Sequence, residues 1–320
     1  MMNLDEMMLS VRSNVRAAAR WQNHHELAKG SVEQKKRFCA LRSQFRSRLE
    51  ALEKFDISHY TTPNWKNFNE KVRAALFPEP SFAFLRNPTV MYTMFLSRGG
   101  TAMKTELDYL ESKLKPEELQ RLLAEDGTGA PLLLNSRYRT SHNTIHHLHH
   151  LIRFQERTGR ALNSISSVIE WGGGYGNLAK LFTRLVGKQR TYTIIDTPLF
   201  SCLQWLYLST IFGEENVNLI QSPQQTIQEG KINLVPVCFI PNLSLQAELF
   251  ISTWALNESS VASQDAVTQR NWFGAKHLLL AYLENYPGLP DSERVAKAAV
   301  ARGASIEDIE FLPKNHYVFL

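Results

Sequence analysis

Ser166–Ser167–Val168–Ile169–Glu170–Trp171–Gly172–Gly173–Gly174–Tyr175–Gly176–Asn177 is the stretch by which the rest of the chain is read. A short apolar run of β type ends in a carboxylate. Four glycines follow, and Asn177 then opens a helical pattern that runs to Leu185. Strand, glycine turn and helix N-terminus together let a backbone come close to a nucleotide-like ligand. A dinucleotide fingerprint needs a third glycine three residues after the second. Asn177 stands at that position, so the pattern is E-x-G-x-G-x-G: Glu170, Gly172, Gly174, Gly176.

Downstream, apolar β-type runs alternate with helical ones. Strands are expected at Ser164–Trp171, Tyr192–Asp196, Val217–Ile220, Leu249–Thr253 and Leu278–Leu283. Helices are expected at Asn177–Leu185, Leu199–Phe212 and Val261–Trp272, and Ile309–Leu312 with His316–Leu320 read as two final β segments. Such alternation implies crossover units and a mostly parallel sheet. Upstream the texture is helical. Leu4, Met8, Val11 and Val15 form one apolar stripe, and Phe38, Leu41, Phe45, Leu49 and Leu52 another. Residues 63–90, with four prolines, read as a short helix and a loop. Helix resumes from Tyr92 to Ala124, broken near Gly99–Gly100 and restarted at Pro116. A further helix runs from Ser141 to Arg157, closed by Gly159. The expected division is residues 1–130 as a helical region and 131–320 as the ligand-binding α/β domain.

Composition narrows the class. A chain of 320 residues, 43% hydrophobic and 21% charged, can bury a sizeable core. Cys39, Cys202 and Cys238 are scattered and odd in number, which fits a reducing compartment and gives neither a disulfide framework nor a cysteine zinc site. No apolar run reaches the roughly 18 residues of a membrane span. Met1–Met8 lacks a cleavable apolar core, so a cytoplasmic location is expected. The net charge of +5 suits an anionic small molecule and is too small to establish nucleic-acid binding. Arg12, Arg16, Arg20, Lys35, Lys36, Arg37, Arg42, Arg46 and Arg48 read first as a solvated basic face and second as a surface for an anionic partner.

Thr193–Ile194–Ile195–Asp196 ends the second strand in a carboxylate, placed to accept both hydroxyls of a ribose. Helix capping is the competing reading, because Thr197–Pro198 follow. Paired with Glu170–Gly176, this pattern resembles the first motifs of Rossmann-like S-adenosylmethionine-dependent methyltransferases. Ile169–Ala179, Tyr192–Pro198, the aromatic helix at Leu203–Leu208, Ser141–Ile145 and Leu249–Glu258 are together similar to the sugar O-methyltransferase family. The resemblance covers about residues 129–283; Trp171 and Thr197 depart from it, and residues 1–125 carry no signature. It implies a seven-stranded sheet with an antiparallel last strand, S-adenosyl-L-methionine as methyl donor, and a sugar or other small-molecule hydroxyl as acceptor. The implied donor-binding residues are Glu170, Gly172, Gly174, Gly176, Asp196, Thr197, Gln221 and Thr253.

An acceptor hydroxyl needs a base near the strand ends. Glu258 and His142 are the candidates, with His277 behind them. Ser252–Thr253–Trp254 stands where base N-methyltransferases carry D/N-P-P-Y/F, which argues against base N-methylation. His142, His146 and His150 share a helix face, so a divalent metal is an alternative there, though no H-E-x-x-H or cysteine supports it. The other readings are a methyltransferase on a different small molecule or RNA, and a non-catalytic binding protein. The N-terminal helices are assigned to capping the substrate side or to a homo-oligomer contact.

Overall fold

β1 (Ser167–Trp171) and β2 (Thr191–Asp196) lie side by side and parallel, with Glu170 opposite Ile194. This is the centre of the computed structural model, which describes residues 30–94, 100–187, 189–285, 291 and 293–320. The expected stripe at Leu4–Val15, with Arg12, Arg16 and Arg20, lies outside the described residues. β3 (Val217–Leu219), β4 (Ile232–Pro236), β5 (Leu249–Thr253), β6 (His277–Leu283), β7 (Ser305–Asp308) and β8 (Asn315–Phe319) complete one sheet in the order β3-β4-β2-β1-β5-β6-β8-β7. β1 to β6 pair in parallel, and β8 runs antiparallel between β6 and β7. The α/β, Rossmann-like expectation and its antiparallel last strand are met.

Among the described residues the sheet has eight strands where seven were expected. The addition is β4, and it takes the place beside β2. β3, which carries the expected third-strand residues, is pushed out to the edge. The final β pair also shifts: Ile309–Leu312 is a turn, and β7 precedes it at Ser305–Asp308. Ser305, Glu307 and Asp308 give that strand no apolar signal, as an exposed edge strand allows.

The N-terminal helices are α1 (Val32–Arg42), α2 (Phe45–Leu52), α3 (Pro63–Leu76), α4 (Pro88–Thr93), α5 (Thr101–Lys113) and α6 (Pro116–Leu123). α7 (His142–Thr158) starts at the Ser141 cap and stops at left-handed Gly159. It buries Ile145, Leu148 and Ile152, as the spacing predicts. α8 (Asn177–Val186) follows the glycine turn, α9 (Pro198–Phe212) follows Asp196, and α10 (Val261–Thr268) and α11 (Arg294–Val300) cover the far half. α9 is buried from Pro198 to Thr210. Its apolar circumference is explained by its two neighbours: it packs on β2, β3 and β4 on one side and on α1 and α2 on the other. One hydrophobic core therefore runs from Phe38 and Phe45 through Trp205 to the sheet.

The basic residues of α1 and α2 are largely spent within the chain. Arg37 pairs with Glu33, Arg46 with Glu50, Arg42 with Glu79 and Arg48 with Glu214, and Arg48 also lies 4.1 Å over the Trp205 ring. No helix among the described residues is long and apolar enough to cross a membrane.

A buried ionic cluster ties the joint before α7 to α8. Lys180, fully buried, donates to Glu125 at 3.1 Å and sits 3.5 Å from Asp126. Arg184 donates to both Asp126 oxygens, at 2.8 and 2.9 Å. Glu125 also accepts from the hydroxyls of Ser141 and Thr144 at the start of α7. Removing one member strands a charge in the interior, at a cost of roughly 3–5 kcal/mol. Lys180→Met is thus expected to lower the urea midpoint by that stability at unchanged m-value; a loss below about 1 kcal/mol would contradict so large a role for the cluster.

Candidate functional site

The glycine turn is shaped by what lies behind it. Gly172, Gly174 and Gly176 have φ of 75°, 57° and 93°, values that side-chain-bearing residues rarely adopt. A Cβ at Gly172 would come within 2.1 Å of the Ala255 methyl, one at Gly173 within 2.7 Å of Ile194, and one at Gly176 within 2.9 Å of Leu208. These three allow the turn to press onto β2, α9 and the segment after β5. At Gly174 a Cβ meets nothing within 4 Å among the described residues. The turn is packed on three sides and open at Gly174. It stands where the strand order reverses, between the β2 and β5 sides of β1, which is the ligand crevice of open parallel sheets.

Asp196 faces the same turn. Its Oδ1 accepts from the Thr197 amide and its Oδ2 from the Gln204 side chain, both at 2.8 Å. The same Gln204 nitrogen donates to the Gly174 carbonyl at 2.9 Å. One amide on α9 thus clasps the two ligand-side motifs together. The Oε1 of Gln204 is buried and has no hydrogen-bond partner among the described residues. Reading the sequence does not single out Gln204, yet a signal is there: a lone amide in a helix otherwise built of apolar residues and small hydroxyls.

Glu170 is buried beneath the turn and accepts from the Tyr192 hydroxyl at 2.9 Å. Burial raises its carboxyl to about 8, against the Tyr192 hydrogen bond, with the Asp196 charge adding to the rise. Burial also raises Asp196, to about 7, although Thr197, Gln204 and the turn amides of Gly174 and Gly173 all favour its charged form.

The β5 end supplies the opposite wall. Thr253 ends the strand, and Trp254 follows with φ 64°, its indole donating to Asn315 at 2.7 Å. Glu258 is half-buried one turn on, and burial raises it to about 7 against a hydrogen bond from the Trp65 indole. α3 joins the two walls. Its Asn69 accepts from the Thr197 hydroxyl at 2.8 Å, and its Trp65 ring meets Phe200 at 6.2 Å as well as Glu258. The loop before α3 receives Ser260 and Ser263 hydroxyls on its His59 and Tyr60 carbonyls, both at 2.8 Å. An N-terminal helix therefore bridges the carboxyl edge from β2 to β5.

The remaining expected residues separate. Gln221 follows edge strand β3, and β4 stands between that strand and β2. His277 opens β6 opposite Leu249, the first residue of β5, so it lies at the amino edge, away from the turn. His142 is at the carboxyl edge, buried, with Nε2 2.8 Å from Glu106 of α5. Glu106 looks in sequence like any other acid of a charged helix, and nothing there distinguishes it.

No protein-family model matches the chain, and no curated protein matches it. Solved structures do. An S-adenosylmethionine-dependent methyltransferase from Aquifex aeolicus is 15% identical, with 48% of this chain and 80% of that one covered and a TM-score of 0.32. Magnesium protoporphyrin IX methyltransferase from Synechocystis PCC 6803 is 12% identical over 69% of this chain and 97% of that one, at 0.39. A ribosomal protein L11 methylase from Lactobacillus delbrueckii subsp. bulgaricus is 11% identical over 55% and 77%, at 0.35. At TM-scores this low none of them carries an argument about what this chain does.

The raised carboxylates set a pH dependence. Glu170 keeps its proton to about 8 when folded and releases it near 4.5 when unfolded. Stability from this group is fully present below 4.5 and is lost as pH rises through 8, at up to about 1.4 kcal/mol for each pH unit between those values. The ligand-free protein should lose melting temperature between pH 5 and 8, and Glu170→Gln should flatten that slope. An equal slope in the variant would remove Glu170 as its source.

Proposed function

We propose that this chain transfers the methyl group of S-adenosylmethionine to a hydroxyl, with a sugar hydroxyl, in a glycan or nucleotide-sugar precursor, as the acceptor. The observation that carries the reading is the Gln204 clasp, which fixes Asp196 opposite the open face of Gly174. The spacing suits a nucleoside. Asp196 accepts from the two ribose hydroxyls, and the unpartnered Gln204 oxygen can receive a donor. The Gly174 backbone lies against the ligand, and Glu170, which burial keeps protonated under the turn in the ligand-free chain, gives up its proton as the cationic amino-acid end binds nearby. Residues 131–320 then hold the donor, and helices from residues 1–130 cover the acceptor side.

Bound S-adenosylmethionine supplies an electrophilic methyl group. The protein's part is to align the acceptor oxygen and to take its proton. Glu258 is suited to the second task, since burial has brought its carboxyl to about 7, close to the pH at which a base is most effective. His142, held by Glu106, is the alternative base. Gln221, beyond β4, has no part in this arrangement. Thr253 lines the end of β5, and Thr197 acts through its amide, which fixes Asp196.

Calorimetry with S-adenosylhomocysteine tests the donor site. One site per chain is expected. Asp196→Ala removes hydrogen bonds to a charged group, about 2 kcal/mol or roughly 30-fold in affinity, and Gln204→Ala about tenfold. Undiminished binding by Asp196→Ala refutes the donor reading. Methyl transfer from labelled donor across a panel of free and nucleotide-linked sugars tests the acceptor, with loss of turnover but retained donor binding expected for Glu258→Gln.

A further inference from the structure

α5 and α7 place three metal-type donors against one another. The two oxygens of buried Glu106 meet His142 Nε2, at 2.8 Å, and His146 Nδ1. His142 and His146 are one helical turn apart, so their imidazoles leave α7 on the same side, towards α5. The three donor atoms lie within 4.8 Å of one another. His150, the third histidine of this face, is turned to the Tyr317 hydroxyl at 2.6 Å and does not join them.

We propose that Glu106, His142 and His146 bind one divalent transition-metal ion. Two imidazoles and one carboxylate are a borderline donor set. It suits manganese, iron, cobalt or zinc rather than magnesium or calcium, which take oxygen. In the metal-free chain both imidazoles meet the Glu106 oxygens as hydrogen-bond partners, and an ion would take the place of the shared protons. Three protein ligands leave coordination positions open, the arrangement of a reactive rather than a structural site.

The position gives those openings a use. The His146 ring stacks on Trp254, centroids 5.4 Å apart and planes at 20°. Trp254 immediately follows β5, and the next histidine on α7, His147, meets Asn177 at the start of α8 at 3.1 Å. The three ligands therefore sit where the walls at β1 and β5 meet. Resting on the methyltransferase reading, the ion would bind two neighbouring oxygens of the acceptor and lower the pKa of the hydroxyl to be methylated. That favours a vicinal diol, as sugars offer, over a lone alcohol.

The test uses the full chain stripped with chelator and titrated with Co²⁺ and Mn²⁺, read by calorimetry and by the cobalt visible spectrum. One ion per chain is expected. His146→Ala, at a partly exposed position, should weaken it by more than the roughly 10–100-fold that outer-shell groups command, and Glu106→Gln should do the same. His59→Ala, in exposed surface, should leave it unchanged. S-adenosylhomocysteine titrated into the same samples reports the donor site independently. Loss of the ion with retained nucleoside binding supports the proposal. A wild type that takes up no ion, or variants that bind it as tightly as wild type, overturns it and leaves the donor reading standing.

Discussion

Two carboxylates held out of water at the ends of neighbouring strands govern this molecule. Glu170 and Asp196 are balanced only by neutral partners: a tyrosine hydroxyl, the Gln204 amide and backbone N–H groups. Desolvation therefore dominates, and both protons are bound more tightly than in water. A fold gains nothing by this on its own. Elsewhere the same chain buries acids with cations, as at Glu125 and Asp126 with Lys180 and Arg184. The contrast separates acids paired with cations inside the structure from acids buried without one. A nucleoside diol and a cationic amino-acid head would supply what the two carboxylates lack.

The helices before the sheet are organised by the same edge. α1 and α2 bury α9, which positions Gln204. α3 spans from Thr197 to Glu258, and α5 brings Glu106 to α7. The stretch without a sequence signature thus contributes a helix lying across the carboxyl edge of the sheet and a buried acid beside α7. The four arginines described on α1 and α2 are all paired with acids of the chain, Arg37 and Arg46 within their helices and Arg42 and Arg48 beyond them, which weakens the case for a polyanionic partner at that face.

The legible part of the fold is the part whose signal is local. β1, the turn and β2 combine β-type runs with glycines at positive φ and acids at strand ends, and their boundaries fall within a few residues of those observed. β4 is invisible in sequence for a physical reason. Ile232–Pro236 is short, buried on both faces and closed by proline, so it has no alternation to read. Its insertion displaces β3 and, with it, the expected role of Gln221. The partners of the site residues are the least legible. Gln204 and Glu106 lie within helices and acquire their roles only through contacts across the fold, Glu106 with a histidine 36 positions away.

On the proposed methyl-transfer reading the donor and acceptor sides differ in how they are built, and this explains the unequal reach of the sequence. The donor side is one continuous β–turn–α–β–α passage in which backbone conformation does most of the work, so residue spacing encodes it. The acceptor side is assembled from α3, α5, α7 and the β5 end, which are far apart in the chain and bring side chains rather than backbone. Its chemistry is decided by which group accepts the proton. A carboxyl at about 7 on Glu258 and an imidazole locked to Glu106 are competing answers, and they cannot both hold if the imidazoles ligate an ion. Metal binding at Glu106, His142 and His146 would occupy the His142 nitrogen that now meets Glu106, leaving Glu258 as the base. The two halves of the acceptor problem, the ion and the base, are therefore coupled: a bound ion removes His142 from the choice of base.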